Sequence, residues 1–201
     1  MPGGRLANMD VSFHRGQGRS YFALARREDG VLVRLNGGAY ERSDPPLPHD
    51  LAHFVVEEEL ALRAGLWGVI AAGGLFPQAS VVAGRRRPHA TRRAREAIKL
   101  AGDRLTQAEV AVGVLCAVAR AGEESDPTVH HRIPERWRPQ GLSPRDVERA
   151  CERLRQAARQ WDAVVEGESL DLAWRVMPDA GLVDRPRATR RQRSSRPRSR
   201  R

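Results

Sequence analysis

The chain has 201 residues, 40% of them hydrophobic, which is enough for one domain with a buried core. Its net charge is +10, but nine of the cations are arginines after residue 184, so residues 1–184 are close to neutral. The longest apolar stretch, residues 65–77, is too short to cross a bilayer, and no apolar secretion signal opens the sequence. We therefore expect a soluble cytoplasmic protein with no membrane partner.

The N-terminal third has the pattern of a small sheet. Residues 1–8 are expected to form a flexible leader. Three short runs with β-branched and aromatic residues, 9–13, 20–25 and 31–35, are separated by glycine-containing turns, which predicts an antiparallel β-meander. Prolines in residues 43–48 interrupt this pattern. Pro48 predicts the first turn of a helix that runs to about residue 63 and ends before Gly65.

The second half is expected to be mainly helical. Thr106 and Glu109 have the spacing of a capping box, which predicts the start of an apolar helix. A second helix begins near Ser143, and Leu170, Leu172 and Trp174 alternate with polar or small residues, as in a strand that returns to the first sheet. The second helix carries a continuous apolar stripe with spacings of four and three: Val147, Cys151, Leu154, Ala158, Trp161 and Val165.

These elements predict one two-layer α+β domain over residues 9–178. It contains an N-terminal antiparallel β-meander, about three main helices and a returning C-terminal strand. Residues 179–201 are rich in arginine and are expected to form a disordered tail.

Two histidines on the first predicted helix form a candidate metal site. His49 and His53 are four residues apart, so both imidazoles lie on one helix face and can bind one divalent cation, with zinc as the expected metal. Asp50 is the candidate catalytic base of a metal-dependent hydrolase. Glu57 lies about 12 Å along the helix from His49 and is expected to support a ligand or face a substrate. Further ligands are sought among His14, His130 and His131.

The run from His49 to His53 resembles three known motifs. In the zincin motif H-E-x-x-H the glutamate is a base towards metal-bound water, and Asp50, one methylene shorter, stands at its position. The run also resembles the H-D-x-x-H stretch of a family of ubiquinone-biosynthesis proteins, whose more distant glutamate falls on Gly65. The third resemblance is to the His-Asp dyad of HD-domain phosphohydrolases, whose upstream helical histidine would fall among predicted strands.

Residues 48–57 as a whole resemble uncharacterised, mostly actinobacterial proteins that carry Pro-His-Asp-Leu-x-His. That resemblance implies no activity. An alternative without a metal is open as well, because Asp50 would stabilise the first turn of a helix through the helix dipole, and both histidines could be ordinary surface or interface residues.

A basic segment between residues 85 and 95 provides a different functional hypothesis. Together with the tail it is a candidate binding site for nucleic-acid phosphates or another anion, although no aromatic residues alternate with the arginines to stack on bases. Lysine occurs once against 34 arginines, a bias typical of GC-rich genomes. A third hypothesis is a purely structural interaction domain that uses the stripe of residues 147–165. The basic segment comprises Arg85, Arg86, Arg87, Arg92, Arg93 and Arg95.

Overall fold

The structure, a computed structural model, describes residues 9–40, 46–85, 89–177 and 179–182. One antiparallel sheet has the strand order β4-β3-β2-β1-β5. The strands are β1 (Met9–Arg15), β2 (Ser20–Arg26), β3 (Leu32–Ala39), β4 (Ala79–Ala83) and β5 (Ser169–Trp174). The helices are α1 (His49–Glu59), α2 (Leu66–Ala71), α3 (Ala90–Ala101), α4 (Asp103–Ala121) and α5 (Pro144–Asp162). The predicted α+β class, with its meander and returning strand, is confirmed.

The sheet has one apolar face, as the alternation along its strands predicts. In β1, Met9, Val11 and Phe13 are buried, whereas Asp10, between the first two of them, is exposed. β5 lies beside β1 with Leu172 opposite Val11, so the last strand joins the N-terminal sheet as expected. β4 was not predicted. It is a short edge strand whose residues are mostly exposed, so it has too little apolar alternation to be recognised.

Helices α1, α4 and α5 pack together and cover the apolar face. At the centre of the core, the ring of Phe54 meets Phe13, Trp67 and Trp174 edge to face, with centroids 5.3–5.9 Å apart. The apolar stripe of α5 is buried from Val147 to Trp161. Val165 is 62% exposed, which corrects the last position of the stripe: α5 ends at Asp162, and the helical periodicity ends with it.

Several predicted boundaries are wrong for local reasons. α1 ends at Glu59, four residues early, because the chain turns at Ala61 with a φ of 50°. Residues 65–77 contain the short helix α2, which the sequence pattern did not predict. α4 begins at Asp103, so Thr106 and Glu109 lie inside the helix and form no capping box.

The packed domain extends past its predicted end at residue 178. Asp179 forms an ion pair with Arg104 at 2.5 Å, and Leu182 is buried in a small cluster that includes Ala101 of α3. The predicted leader, residues 1–8, and the predicted tail after residue 182 lie outside the described residues. Within the described ranges, no helix has both the length and the apolar character needed to cross a membrane.

Candidate metal centre

The first turns of α1 bring two imidazoles together. Pro48 precedes the helix with φ −58° and ψ 138°, and the helix begins at His49. His53 follows one turn later, so its ring centroid lies 4.6 Å from that of His49. The spacing of four residues therefore produces the neighbouring pair of rings on which the sequence-based hypothesis depends.

A carboxylate from the middle of α4 completes the group. Oε2 of Glu109 lies 3.2 Å from Nε2 of His53 and 3.6 Å from Nε2 of His49. One ligand atom from each of the three residues can be chosen so that all lie within 4.8 Å of one another. Atoms bound to one ion at about 2.1 Å are separated by at most about 4.2 Å, so a small adjustment of exposed side chains would suffice for all three to bind a single metal.

Each histidine has a second carboxylate on its other ring nitrogen. Nδ1 of His53 lies 2.9 Å from Oε1 of Glu57, and Nδ1 of His49 lies 3.7 Å from Oδ1 of Asp50. Both rings thus turn Nε2 towards Glu109. Metal-binding histidines commonly have this arrangement, because a carboxylate at the remote nitrogen fixes the ring and increases its basicity.

Glu57 is fully buried and holds two parts of the fold together. Its carboxylate accepts hydrogen bonds from the backbone N–H groups of Leu66 at 2.7 Å and Trp67 at 3.0 Å, the first two residues of α2. A Cβ atom on Gly65 would lie 2.3 Å from the carboxylate carbon of Glu57, so the close approach requires glycine. Glu57 contacts His53 and lies away from the other two residues of the cluster, which suits it to orienting a ligand.

Asp50 is buried in the first turn of α1, next to His49. Its backbone N–H donates to the hydroxyl of Tyr21 at 3.3 Å, and its carbonyl accepts from the indole N–H of Trp67 at 2.8 Å. Its Oδ2 atom is buried without a hydrogen-bond partner in the described part of the chain. The carboxylate lies beside the ring nitrogen of His49 that faces away from Glu109, a position from which it orients His49 more directly than it reaches a metal-bound water.

The electrostatics of the cluster favour bound positive charge. The carboxylates of Asp50 and Glu109, 3.7 and 3.6 Å from the two ring nitrogens, raise the pKa of His49 to about 10. Burial lowers the pKa of His53, but hydrogen bonds to Glu109 and Glu57 outweigh it and raise that pKa to about 9. The same contacts hold the pKa of Glu109 well below its usual value. Three carboxylates around two imidazoles therefore attract either protons or a metal cation.

One side of the cluster is open to solvent. The side chains of His49 and Glu109 are 63% and 59% exposed, whereas that of His53 is 1% exposed. Structural zinc sites are normally closed by four protein ligands, and catalytic sites combine three ligands with a water or a substrate. Three ligand groups with an open side match the second type.

The other histidines proposed as ligands are not part of this cluster. His14 lies on the opposite face of the sheet, where its ring stacks on Phe22 with centroids 4.7 Å apart. His130 and His131 lie in a short 3-10 turn, Val129–Arg132, with their rings against each other. Within the described residues, the metal-ligand group contains His49, His53 and Glu109 alone.

The basic segment is described only in part. Arg86 and Arg87 lie outside the described residues, and Arg85 is exposed after β4. Arg92, Arg93 and Arg95 lie on α3.

Sequence reasoning missed Glu109 because its spacing from Thr106 matched a capping box. A signal was nevertheless present. Glu109 stands between Ala108 and Val110 in the apolar part of a 19-residue helix whose other acidic residue, Asp103, lies in the first turn. An isolated carboxylate in such a position is a candidate ligand or ion-pair partner.

The chain matches no protein-family model, no curated protein and no solved structure. The resemblance to proteins with Pro-His-Asp-Leu-x-His therefore stays a prediction, and the chemistry of the site is argued from its own geometry.

Proposed function

We propose that the protein binds one divalent transition-metal ion through His49, His53 and Glu109 and holds water at the solvent-facing coordination positions. The observation that supports this proposal is the convergence of the three ligand groups within 4.8 Å, from two helices and across 56 residues of sequence. The carboxylates behind the two imidazoles add the orientation that such ligands need.

The donor set selects among metals. Calcium and magnesium prefer sites made only of oxygen, whereas two imidazoles and one carboxylate suit zinc, manganese or iron(II). We expect zinc first, because the same donor set occurs in catalytic zinc sites with a bound water. Iron(II) is the second candidate, since two histidines and one carboxylate also bind iron in oxygen-activating enzymes.

Hydrolysis is the reaction class that this centre supports best. A zinc ion lowers the pKa of its bound water to about 7, which supplies hydroxide at neutral pH. Asp50 was expected to act as the base, but its contact with Nδ1 of His49 favours an orienting role. A zinc ion held by His49, His53 and Glu109 would therefore supply the activation of water, with Asp50 orienting His49. A cytoplasmic location, where the thiols of Cys116 and Cys151 stay reduced, completes the proposal.

Elemental analysis of purified protein tests the site directly. We expect one metal ion per wild-type chain and loss of that ion in His53→Ala and Glu109→Gln. Asp103→Asn is the matched control, because it removes one exposed carboxylate from the same helix without touching the cluster. Calorimetric titration of metal-free protein with zinc, manganese and iron(II) then identifies the preferred ion.

Two results would contradict the proposal. The first is wild-type protein that neither contains nor takes up a metal in stoichiometric amount. The second is equal binding by Glu109→Gln and Asp103→Asn. A metal-loaded protein that hydrolyses none of a panel of activated esters and phosphoesters would retain the binding site and remove the hydrolase assignment.

A further inference from the structure

The two helices that supply the metal ligands carry mainly negative charge near the site. Helix α1 contains no lysine or arginine. Helix α4 contains Arg104, about 8 Å along the helix axis from Glu109, and Arg120, about 16 Å away in the other direction. Arg104 is in addition held by the carboxylate of Asp179. The carboxylates of α1 are Asp50, Glu57, Glu58 and Glu59.

Three carboxylates lie around the proposed metal position. Glu109 would bind the ion, while Asp50 and Glu57 each lie behind one imidazole, 3.7 and 2.9 Å from its remote nitrogen. Both imidazoles must be neutral to bind a metal, so three negative charges exceed the two positive charges of a divalent ion by one. Asp50 is 8% exposed, and its Oδ2 atom has no hydrogen-bond partner among the described residues. The loaded centre therefore keeps a net negative charge.

The helix N-termini beside the site have little to offer an anion. A helix N-terminus binds phosphate through its free N–H groups. At the start of α2, the N–H groups of Leu66 and Trp67 donate to the carboxylate of Glu57. In the first turn of α1, the N–H of Asp50 donates to the hydroxyl of Tyr21, and the carboxylate of Asp50 places negative charge at this helix end.

The negative charge extends to the side from which a substrate approaches. The side chain of Glu109 is 59% exposed and that of His49 is 63% exposed, whereas His53 is 1% exposed and forms the inner side of the site. A molecule that reaches the ion from solvent therefore passes the carboxylate of Glu109.

We propose that the open position of the metal centre takes uncharged or cationic acyl compounds, such as esters and amides, and discriminates against phosphate esters and other anions. This inference rests on the metal centre proposed above and names its class of substrate. An ester or amide group carries no charge, so the three carboxylates do not repel it. A phosphate monoester brings up to about two negative charges to the same place. A cationic group elsewhere on an acyl substrate would be attracted by the same carboxylates.

Phosphoryl transfer is the main competing chemistry for a site of this kind. Enzymes that catalyse it stabilise the charge of the phosphoryl group with arginine or lysine, or with two metal ions held close together. Across the part of the chain that the structure describes, a single group of metal ligands is present. The charges around that group favour acyl over phosphoryl substrates.

Three probes of similar size that differ in charge at one end measure this preference. They are benzohydroxamates with a trimethylammonium, a tert-butyl or a carboxylate group in the para position. All three bind zinc through the same hydroxamate group, so differences in Kd report the charge at the far end. Calorimetric titrations of the zinc-loaded, full-length protein provide the Kd values. A salt concentration of about 0.15 M screens charges more than about 8 Å apart.

Asp50→Asn and Glu59→Gln are compared with the wild type. Both variants lose one carboxylate from α1, but Glu59 lies about 13 Å along the helix from Asp50 and contacts Arg149 instead. Each protein is loaded with zinc and desalted, and its metal content is measured before titration.

We expect the wild type to bind the cationic probe about tenfold more tightly than the anionic probe. Asp50→Asn should reduce this ratio to about threefold, and Glu59→Gln should leave it unchanged. Inorganic phosphate should not displace the tert-butyl probe at equal concentration. The net charge of the chain is +10, so a general charge effect would favour the anionic probe instead.

Several results would overturn this inference and leave zinc binding intact. They are equal affinity for the three probes, tightest binding of the carboxylate probe, displacement by phosphate, and no binding of any probe to zinc-loaded protein. An equal change of the ratio in both variants would overturn it as well, because the effect would then not depend on the charge beside the metal. A chain that holds no zinc before any probe is added would overturn the metal centre and, with it, this inference.

Discussion

Nδ1 of His53 lies 2.9 Å from Oε1 of Glu57, and neither side chain reaches solvent. The same carboxylate binds the first two N–H groups of α2. Glu57 therefore links a candidate metal ligand, His53, to the packing of α1 against α2. A change at Glu57 should therefore alter both the stability of the fold and the strength of metal binding.

Replacing Glu57 with Gln should destabilise the protein strongly. The amide keeps one acceptor oxygen and replaces the other with an NH₂ donor. At least one buried group among those of His53, Leu66 and Trp67 then loses its acceptor, which should cost about 3–5 kcal/mol. Urea unfolding of metal-free protein measures the effect. Glu59→Gln on the same helix is the control, because its pair with the exposed Arg149 should contribute less than about 1 kcal/mol. Similar costs for the two variants would show that the buried network has no special importance.

Gly65 and Gly113 should respond in opposite directions to the same substitution. In Gly65→Ala the new Cβ atom would lie 2.3 Å from the Glu57 carboxylate, so α2 must move and stability should fall. In Gly113→Ala nothing lies within 4 Å of the new atom, and a glycine inside α4 is replaced by a better helix former, which should stabilise by about 0.5–1 kcal/mol. Thermal midpoints of the two variants compare them, and a stable Gly65→Ala protein would mean that the close approach is not required.

The parts of the fold that could be predicted from sequence depend on local patterns. The β-meander, the strand with Leu172 and the buried stripe up to Trp161 all follow from alternation or helical periodicity within one element. The elements that were missed, β4 and α2, are short and lie in glycine-rich or exposed sequence. Their conformation depends on contacts with distant segments, such as the carboxylate of Glu57 at the start of α2.

The residues of the candidate site also divide into those that a local pattern predicts and one that it does not. His49 and His53 could be found together because a spacing of four residues is a property of one helix. Glu109 joins them only because α4 packs against α1, and no local pattern records that contact. The capping-box spacing with Thr106 was a competing local explanation, and it was wrong because the helix begins three residues earlier, at Asp103.

Metal-free protein should lose stability as the pH rises above neutrality. His53 has a pKa raised from 6.5 to about 9, so its protonated form stabilises the fold fully below pH 6.5, and this contribution disappears as the pH rises through about 9. His49 should contribute less, because its side chain is 63% exposed. Urea unfolding in the presence of a chelator across this range provides the measurement, and His53→Gln should flatten the dependence. An equally steep curve in the variant would assign the effect to other groups.

Metal binding should have the opposite dependence on pH. Both imidazoles are protonated in the metal-free protein at neutral pH, since their pKa values are raised to about 10 and about 9, and a ligand must lose its proton to bind a metal. Affinity should therefore increase with pH, and binding should release close to two protons. Calorimetric titrations in buffers with different ionisation enthalpies measure that number. Release of no protons would show that the metal binds elsewhere.

Asp50→Asn distinguishes the two roles considered for this carboxylate. A base towards metal-bound water would leave metal affinity unchanged and remove hydrolysis. The 3.7 Å contact between Oδ1 of Asp50 and Nδ1 of His49 favours the orienting role, so we expect metal affinity to fall about 10- to 100-fold, the usual effect of removing such a partner. Tyr21→Phe should reproduce a smaller part of this loss, because the Tyr21 hydroxyl accepts from the backbone N–H of Asp50 and fixes the start of α1. Zinc titrations of both variants give the affinities. If Asp50→Asn keeps full affinity while any metal-dependent hydrolysis disappears, the base role is correct and the orienting role is wrong.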